Sequence, residues 1–558
     1  MIARSATAAL MCAALTAPVL AQDTGAPMAE IITESVRDCS LDDTLNMPLI
    51  AWGADAVTIY ANGGDLKPGD GLLKDKGAPL SLSVQDNFSE QLSAYLRCDS
   101  PFLRGTLGML TAAAPVTEAD PRTEQIIIYK HSWSAGDGIV GGPDVKSVKD
   151  LAGKRIAIQA YGPHVAFVGR VLADSGVAMK DVNIVWASDL TGDGDNTPAA
   201  ILARGEADAA AVILPDARAL TNDGTVGTGA EGSVKGAEII FSTMEATAVI
   251  GDYIAVRADV FTDNEDKIRA IVAALFAAEE EVRRFMAQDG SPEQTKLAST
   301  MADVLLGGLP PEEGVFLWRD AITDGWSGNA KHFANAKDPR RFEVLMEEVS
   351  GALRGARMIE RPYQLAQAEW DYAALAEGLK DVSDRAVAAF DPEAAAAAVN
   401  RLRRTGRLDA NTKIDFKVFF EPDTTEFPEA LYAADFDEIV RLAATYGGAI
   451  ITVEGHADPL HYLRREKEGA ASKELRAIRT SARNLSFSRA QSVLGALSSY
   501  AEGQGLTINA DQFTLDGVGI DQPAYNPPKT AEEWRQNMRV IFRILTTQAE
   551  ATTFAPLD

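Results

Sequence analysis

Residues 134–164 read SAGDGIVGGPDVKSVKDLAGKRIAIQAYGPH, and this stretch is the most informative indicator of the fold in the first half of the chain. It combines a β-rich run at 154–159, a short loop at 160–164 and a helical pattern at 164–175. Pro163 is preset for the first turn of a helix, and the free backbone amides of such a terminus bind anionic oxygens. The stretch therefore predicts a strand, a loop that faces a ligand, and a helix.

Short β-rich runs and helical stretches alternate on both sides of this stretch, from about residue 47 to residue 285. This alternation is typical of an α/β architecture. Crossovers of this length predict largely parallel strand pairing with helices on both faces of the sheet. The predicted strands are 48–52, 80–84, 125–130, 154–159, 182–186 and 209–214, and the predicted helices are 89–96, 164–175 and 198–205.

Three strings in residues 50–288 resemble periplasmic solute-binding proteins of the nitrate, sulfonate and taurine type, which serve ABC transporters. They are GADAVTIYANGG at 53–64, the stretch 134–164, and ARGEADAAAVILPDA at 203–217. The resemblance implies a two-lobed module at 45–345 that holds its solute in the cleft between the lobes. We expect lobe one at 45–130 plus 245–345 and lobe two at 131–244.

The cleft predicted by this resemblance has eight candidate solute-binding residues. Ligands of open parallel sheets lie beyond the carboxyl ends of the strands, and this rule selects the loops that carry them. The two tryptophans among them are alternatively core residues, the aspartate at 137 alternatively holds a tight turn, and the histidine alternatively caps a helix or lies on the surface. The expected solute is small and anionic. The candidates are Trp52, Gly53, Trp133, Asp137, Tyr161, Gly162, His164 and Asp216.

A helical pattern follows at 346–407 and includes the Ala-rich string FDPEAAAAAVNRLRRTG at 390–406. Pro392 suits the first turn of a helix and Gly406 suits its end. We expect a helical connector that packs on the lobes, and a free linker is the alternative.

The strings ITVEGHADP at 451–459 and NLSFSRAQSV at 484–493 place Asp458 after a predicted strand and Arg489 in the first turn of a predicted helix. A carboxylate accepts hydrogen bonds from an ammonium group, and a guanidinium presents a planar fork to a carboxylate. The pair therefore predicts a clamp for a zwitterionic amino acid. The alternative is a structural surface ion pair, which contributes about 0 to 1 kcal/mol.

The order of motifs in residues 410–548 resembles the α+β OmpA-like peptidoglycan-binding domain. The resemblance implies that Asp458 and Arg489 bind the diaminopimelate of the peptidoglycan stem peptide, and Asn537 and Arg539 are further candidates. The chain departs from the family pattern at Ala482 and Met538, where the family has Asn and Arg. An additional charged segment at 463–480 is predicted to be a solvated helix, with a lid or docking surface over the site as the alternative.

The opening segment, MIARSATAALMCAALTAPVLAQ, predicts a signal peptide at 1–21 that is cleaved after Ala21. The expected location is the periplasm, in association with the cell wall and the outer membrane. With 80 acidic and 53 basic residues, the net charge of −27 disfavours binding to nucleic acid or to anionic lipid. An ABC permease or another envelope protein remains open as a partner.

Cys39 and Cys98 remain after cleavage, and an oxidising compartment leaves a disulfide or two unrelated thiols as alternatives. The string DLTGDGDN at 189–196 lacks the glutamate that a calcium loop needs at its twelfth position, where Ala200 stands. No paired zinc spacing, catalytic triad order or phosphate-binding motif is found, so neither a metal nor a cofactor is expected.

Together these patterns predict a non-enzymatic exported receptor that binds a solute and is tethered to peptidoglycan. The alternative is a wall-anchored scaffold whose solute-binding module has lost its ligand.

Overall fold

The computed structural model describes residues 25–39, 44–192, 194–230, 232–382, 412–447, 449–506 and 508–545. Within these ranges, no helix is both long and apolar enough to cross a membrane. The predicted signal peptide and the Ala-rich part of the connector lie outside the described residues.

The first lobe is built around a sheet whose neighbouring strands are mostly antiparallel. The strand order is Ala321–Thr323, Gln125–Ser134, Gly251–Arg257, Phe102–Thr106, with the short strand Ala366–Gln367 parallel to Gln125–Ser134. A separate parallel pair consists of Leu45–Leu49 and Leu80–Val84. The helices around these sheets are Ala56–Ala61, Leu72–Asp75, Phe88–Arg97, Leu107–Thr117, Ala258–Met286, Pro292–Leu305, Pro311–Arg319, Gly325–Ala334, Phe342–Gly355 and Tyr372–Leu375.

The second lobe contains one five-stranded sheet in the order Asn183–Ala187, Arg155–Gln159, Ala209–Ile213, Asp137–Gly141, Glu238–Ser242. Its helices are His164–Asp174, Pro198–Ala203 and Leu214–Leu220. The chain enters this lobe after Gln125–Ser134 and returns to the first lobe before Gly251–Arg257. The two lobes are therefore joined by two crossing segments.

The prediction of largely parallel pairing is wrong for much of the molecule. In the second lobe, Arg155–Gln159 is parallel to both of its neighbours, whereas Asp137–Gly141 is antiparallel to both of its own. Helical crossovers force successive strands to be parallel. Strands that are entered through a crossing segment have no such helix before them, so their direction is set by the path between the lobes.

Most predicted elements of the lobes are confirmed to within a few residues. The strand Leu80–Val84 and the starts of the helices His164–Asp174 and Pro198–Ala203 lie where the sequence predicts them. The first strand differs, because it spans Leu45–Leu49 and not 48–52. Trp52 consequently lies beyond the strand, in extended conformation, immediately before the short 3-10 helix Gly53–Asp55.

One helix, which runs from the end of the predicted first lobe into the predicted connector, contacts both lobes. Phe342–Gly355 packs against Leu107–Thr117 of the first lobe and His164–Asp174 of the second lobe. The contact with the second lobe is close, because a Cβ atom at Gly169 would lie 2.4 Å from Ala352 Cβ.

The C-terminal domain has a four-stranded sheet in the order Thr412–Phe419, Arg539–Leu545, Ile450–His456, Phe513–Gly519. The last two strands of this order are parallel, and the other neighbours are antiparallel. Arg489 does not lie in the first turn of a helix, because residues 472–503 form one continuous helix through the additional segment. The helices are Ala433–Thr445, Leu460–Lys467, Ser472–Gly503 and Ala531–Asn537.

Candidate functional site

Asp137 lies where the chain crosses from one lobe to the other, and it is 4% exposed. One carboxylate oxygen lies 2.7 Å from His164 Nε2, and the other accepts a hydrogen bond from the Ser134 hydroxyl. The Asp137 backbone amide donates to the Thr243 hydroxyl at 2.9 Å. Asp137 thus holds both crossing segments and the start of the helix His164–Asp174 together.

Two further carboxyl groups lie close enough to His164 or Asp137 for the charges of these residues to shift their pKa values. Burial raises the pKa of Asp216, against the opposing effects of a hydrogen bond from Thr191 and the charge of His164. Burial, followed by the negative charge of Asp137, raises the pKa of Asp320 to about 6. Asp320 belongs to the first lobe and Asp216 to the second, so carboxylates from both lobes face the junction.

The predicted solute loop is covered by the N-terminal segment, which we define as residues 25–39. The Tyr161 hydroxyl donates to the Ala26 carbonyl at 2.7 Å, and Tyr161 is 5% exposed. Its backbone φ of 58° is uncommon for a residue with a side chain. Gly162 packs so closely that a Cβ atom there would lie 2.1 Å from the Gln159 amide oxygen. The loop is therefore tightly constrained and shielded by the chain itself.

The N-terminal segment spans both lobes. Gly25 packs against the Trp186 ring in the second lobe. At the other end, Cys39 and Cys98 are joined by a disulfide bond. The Arg37 carbonyl also accepts a hydrogen bond from Arg257 at 3.1 Å. The segment is consequently fixed to the first lobe and reaches across to the second.

The remaining cleft candidates of the first lobe are largely occupied by packing. The Trp52 indole donates to the Ser132 hydroxyl at 3.0 Å, and its ring is half-buried. A Cβ atom at Gly53 would lie 2.0 Å from a neighbouring backbone oxygen. Trp133 is 7% exposed, and Lys130 Nζ lies 3.7 Å from the centre of its ring. Trp52 is the one of these three whose ring retains substantial exposure.

A buried ion cluster in the first lobe escaped the sequence analysis. Arg104 donates to both carboxylate oxygens of Asp55, at 2.7 and 3.2 Å, and to Asp252 at 3.0 Å. Burial raises the pKa of Asp55 to about 6, against the opposing charge of Arg104. The detectable signal was an arginine inside the apolar run FLRGTLGML at 102–110, because a buried arginine requires acidic partners.

The candidate site of the C-terminal domain begins at Asp458. One carboxylate oxygen of Asp458 accepts from the Leu460 backbone amide at 2.8 Å, and the other accepts from the Asn537 side chain at 3.0 Å. Asn537 is fully buried and also binds both backbone groups of Tyr525. The structure thus brings two of the four predicted peptidoglycan-binding residues into direct contact.

Arg489 is 1% exposed, so its guanidinium does not project into open solvent. It donates to the carbonyls of Thr424, Glu421 and His456 at 2.8, 3.0 and 3.3 Å. Its guanidinium carbon lies 5.0 Å from the centre of the Phe420 ring. Burial lowers the pKa of Arg489 to about 10.

Asp458 and Arg489 form no ion pair with each other in the described part of the chain. The alternative of a simple surface ion pair is therefore wrong. His456 connects the two residues, because its carbonyl binds Arg489 and it precedes Asp458 by two positions. In the described part of the chain the charges of Asp458 and Arg489 are therefore not neutralised by each other.

Arg539 lies beside this site and is 7% exposed. It donates to the carbonyls of Gln536 and Gln522 at 3.1 and 3.4 Å. Burial, followed by the charge of Arg543, lowers the pKa of Arg539. Its hydrogen bonds therefore join the end of the helix Ala531–Asn537 to the segment that follows the strand Phe513–Gly519.

No cluster of three or more His, Cys, Asp or Glu side chains in the described ranges is arranged to hold a metal ion. Part of the calcium-like string falls on Asp193, which lies outside the described residues.

Comparisons with known proteins give one family match, which lies mainly in the second lobe. Residues 139–283 match the family model described as NMT1/THI5 like. This match covers most of the second lobe and the return into the first, and it spans less than half of the chain. Two α/β lobes joined by crossing segments form a periplasmic-binding-protein fold, and an α+β domain follows them.

Solved structures with a similar fold include binding proteins and an enzyme. The alkanesulfonate-binding protein SsuA from Xanthomonas axonopodis pv. citri bound to MOPS is 20% identical over 51% of this chain and 87% of that chain, with a TM-score of 0.36. The periplasmic nitrate-binding protein NrtA from Synechocystis PCC 6803 is 14% identical over 59% of this chain and 94% of that chain, with a TM-score of 0.37. The desulfurization enzyme DSZB is 16% identical over 57% of this chain and 94% of that chain, with a TM-score of 0.35. A comparison with curated protein sequences found no match.

Proposed function

We propose that this protein is an exported, non-enzymatic receptor that binds a small solute between its lobes and is tethered to peptidoglycan by its C-terminal domain. The observation that carries the tether is that Arg489 binds the backbone carbonyl of His456, two positions before Asp458, while Asp458 is held by Asn537 and does not pair with Arg489 in the described part of the chain. The two-lobed fold and the family match at 139–283 support the solute-binding role. Both roles suit the periplasm, where we propose that the protein is located.

The tether would recognise the zwitterionic end of diaminopimelate. The ammonium group would be bound by Asp458, whose carboxylate is oriented by Asn537. The carboxylate would meet Arg489, whose guanidinium is held in position by three backbone carbonyls and the Phe420 ring. A guanidinium that is already fixed loses little conformational entropy when it binds.

A pull-down of the mature protein with diaminopimelate-type peptidoglycan sacculi tests the tether. Asp458→Ala is expected to abolish binding, and Asn537→Ala is expected to weaken it by leaving the carboxylate without its amide donor. Asp511→Ala is the matched control, because Asp511 is exposed and lies near the opposite end of the neighbouring strand Phe513–Gly519. Equal retention of wild type and Asp458→Ala on sacculi would refute the proposed site.

Two chemical classes of solute are proposed for the junction. The resemblance to nitrate and sulfonate binders favours a small anion at the amino end of the helix His164–Asp174. The carboxylates of Asp137, Asp216 and Asp320 instead favour a solute that carries an amine or another cationic group. The second class has the support of the side chains that face the junction.

A thermal-shift screen distinguishes these classes. It should include nitrate, phosphate, sulfonates and phosphonates as anions, small amines as the cationic class, and pyrimidine precursors as neutral compounds. A true ligand is expected to raise the unfolding temperature, with a stabilisation that grows with the logarithm of its excess over the dissociation constant. Asp216→Asn should reduce the shift for an amine and preserve or increase the shift for an anion.

The alternative function is a wall-anchored scaffold whose first module has lost its solute. The cover that Ala26 places over the Tyr161 loop favours this alternative. Failure of every compound to stabilise the protein, while sacculus binding is retained, would support the scaffold. An enzyme is less consistent with the junction, since the nearby Ser134 hydroxyl donates to Asp137 and not to His164.

A further inference from the structure

An exposed helical hairpin separates the two residues of the candidate peptidoglycan site. We define the hairpin as residues 460–483, which include the helix Leu460–Lys467 and the first three turns of Ser472–Gly503. Arg465 joins its two helices by an ion pair with Glu474 at 2.7 Å. The Arg479 guanidinium lies 4.7 Å from the centre of the Tyr462 ring. The hairpin is thus an ordered structure with its own internal contacts.

The charge of the hairpin is opposite to that of the whole protein. It contains seven Lys or Arg residues and three Asp or Glu residues, whereas the complete chain contains 53 and 80. Arg465 takes up two of the three acidic side chains, Glu468 and Glu474. Five exposed basic residues therefore have no acidic partner within the described part of the chain, and these are Arg464, Lys467, Lys473, Arg476 and Arg479.

The basic residues of the second helix form a stripe. Lys473, Arg476, Arg479 and Arg483 recur at spacings of three and four residues, which places them on one face of the helix. Arg483 pairs with Asp521 at 2.7 Å and so connects the base of the stripe to the domain. The stripe is a cationic surface that begins at the body of the domain and extends along the hairpin.

The hairpin rises directly from the candidate site. Its first residue, Leu460, donates its backbone amide to Asp458. Its second helix continues without interruption to Arg489. A polymer held between Asp458 and Arg489 would therefore pass next to the cationic surface.

We propose that the hairpin is a second contact for peptidoglycan, which binds the free carboxylates of neighbouring stem peptides by electrostatic attraction. This inference rests on the proposed peptidoglycan tether. Peptidoglycan carries acidic peptides at many points along one network, so a ligand bound at the pocket brings further carboxylates close to the hairpin. Contacts of this kind add affinity through high local concentration, and they weaken as salt screens the charges.

The inference predicts that removing the charges of the hairpin changes how binding to sacculi depends on salt. This effect differs from the loss of binding expected when the pocket residue Asp458 is replaced. The test variant replaces Arg464, Lys467, Lys473 and Arg476 by Gln in the full mature chain. The matched control replaces four exposed lysines of the other domains by Gln, and these are Lys76, Lys149, Lys180 and Lys296. Binding of both variants to sacculi is measured at about 20 mM and about 300 mM NaCl, where screening differs strongly.

At low salt, the hairpin variant is expected to bind sacculi about tenfold more weakly than wild type, and the difference should largely disappear at high salt. The control variant should follow wild type at both salt concentrations. A soluble muropeptide that fills only the pocket should bind the hairpin variant and wild type within about twofold of each other.

Three outcomes would overturn the inference. If the hairpin variant binds sacculi as strongly as wild type at both salt concentrations while Asp458→Ala fails to bind, the proposed pocket is supported and the proposed hairpin contact is refuted. If wild type does not bind sacculi, the proposed tether and the hairpin contact both fall. If the hairpin instead binds vesicles of phosphatidylglycerol and makes no difference to sacculi, its partner is a lipid surface and not the cell wall.

Discussion

The Tyr446 hydroxyl of the C-terminal domain donates a hydrogen bond to an Asp174 carboxylate oxygen of the second lobe, at 2.5 Å. Tyr446 is 1% exposed, and its ring meets the Phe241 ring edge-on at 6.0 Å. Arg441 adds an ion pair at 3.0 Å with Glu348, on the helix that contacts both lobes. The C-terminal domain is thus docked on the second lobe and on the helix Phe342–Gly355 by polar and aromatic contacts.

The docking contact makes a prediction about stability. Tyr446→Phe should destabilise the docked protein by about 1 to 2 kcal/mol, because Asp174 loses a donor while the ring contact with Phe241 is preserved. Burial raises the pKa of Asp174. Without the Tyr446 hydroxyl, the charged form of this carboxylate is stabilised by its other partners, Arg170 and Arg441. Urea-induced unfolding, followed together with the rate of proteolysis in the connector, measures the effect.

Tyr500→Phe is the matched control for this change. Tyr500 also donates to a carboxylate, that of Asp437 at 2.7 Å, but this bond is exposed to water. Its loss should alter stability by less than about 0.5 kcal/mol. Equal effects of the two substitutions would contradict a special role for the buried contact.

The raised pKa of Asp320 predicts that the free energy of unfolding depends on pH through this residue at the lobe junction. Its folded pKa of about 6 exceeds the ordinary value of 3.8, so ionisation opposes folding. The stability present when the carboxyl is protonated is lost as the pH rises from about 4 to about 6. Asp320→Asn should therefore stabilise the protein by about 1 to 2 kcal/mol above pH 6 and have little effect near pH 4.

Thermal unfolding of wild type and Asp320→Asn at both pH values checks this sign. Asp303→Asn serves as the control, because Asp303 is an exposed aspartate on a helix of the same lobe. A larger benefit of the Asp320 substitution at low pH than at neutral pH would refute the proposed origin of the effect.

The disulfide predicts both a chemical and a thermodynamic result. Peptide mapping under non-reducing conditions should recover Cys39 and Cys98 in one linked pair. Replacing both cysteines by serine should cost about 4 kcal/mol, since the bond closes a sequence separation of 59 residues. It should also expose the Tyr161 loop to proteases by releasing the N-terminal segment. Recovery of two alkylated thiols from the native protein would contradict the bond.

Arg489 is expected to stabilise the C-terminal domain as well as bind its ligand. Arg489→Ala should destabilise that domain by about 3 kcal/mol, because three carbonyls lose their donor and Phe420 loses its stacked partner. Arg535→Ala is the control, since Arg535 is exposed. Circular dichroism during heating measures both variants. An unchanged unfolding temperature for Arg489→Ala would show that its hydrogen bonds are energetically unimportant, and it would make this variant a clean probe of binding.

Much of the local structure could be predicted because its signals are local. Alternating apolar residues indicated the strand Leu80–Val84, and Pro163 marked the start of the helix His164–Asp174. The order of motifs around Asp458 placed it after a strand, where the structure has it. The start of the Arg489 helix was missed, because the charged segment before it continues the helix without a capping signal.

Local sequence patterns were therefore sufficient to predict the α/β class, the position of most elements, and Asp458 and Arg489 as candidate residues. The antiparallel direction of Asp137–Gly141, the burial of Arg489 and the cover of Tyr161 by Ala26 could be seen only in the folded protein. These features depend on contacts between distant parts of the chain, such as the 135 positions between Ala26 and Tyr161 and the 272 between Asp174 and Tyr446. Periodicity and capping act over a few residues, and so they cannot encode which surfaces meet when the domains pack.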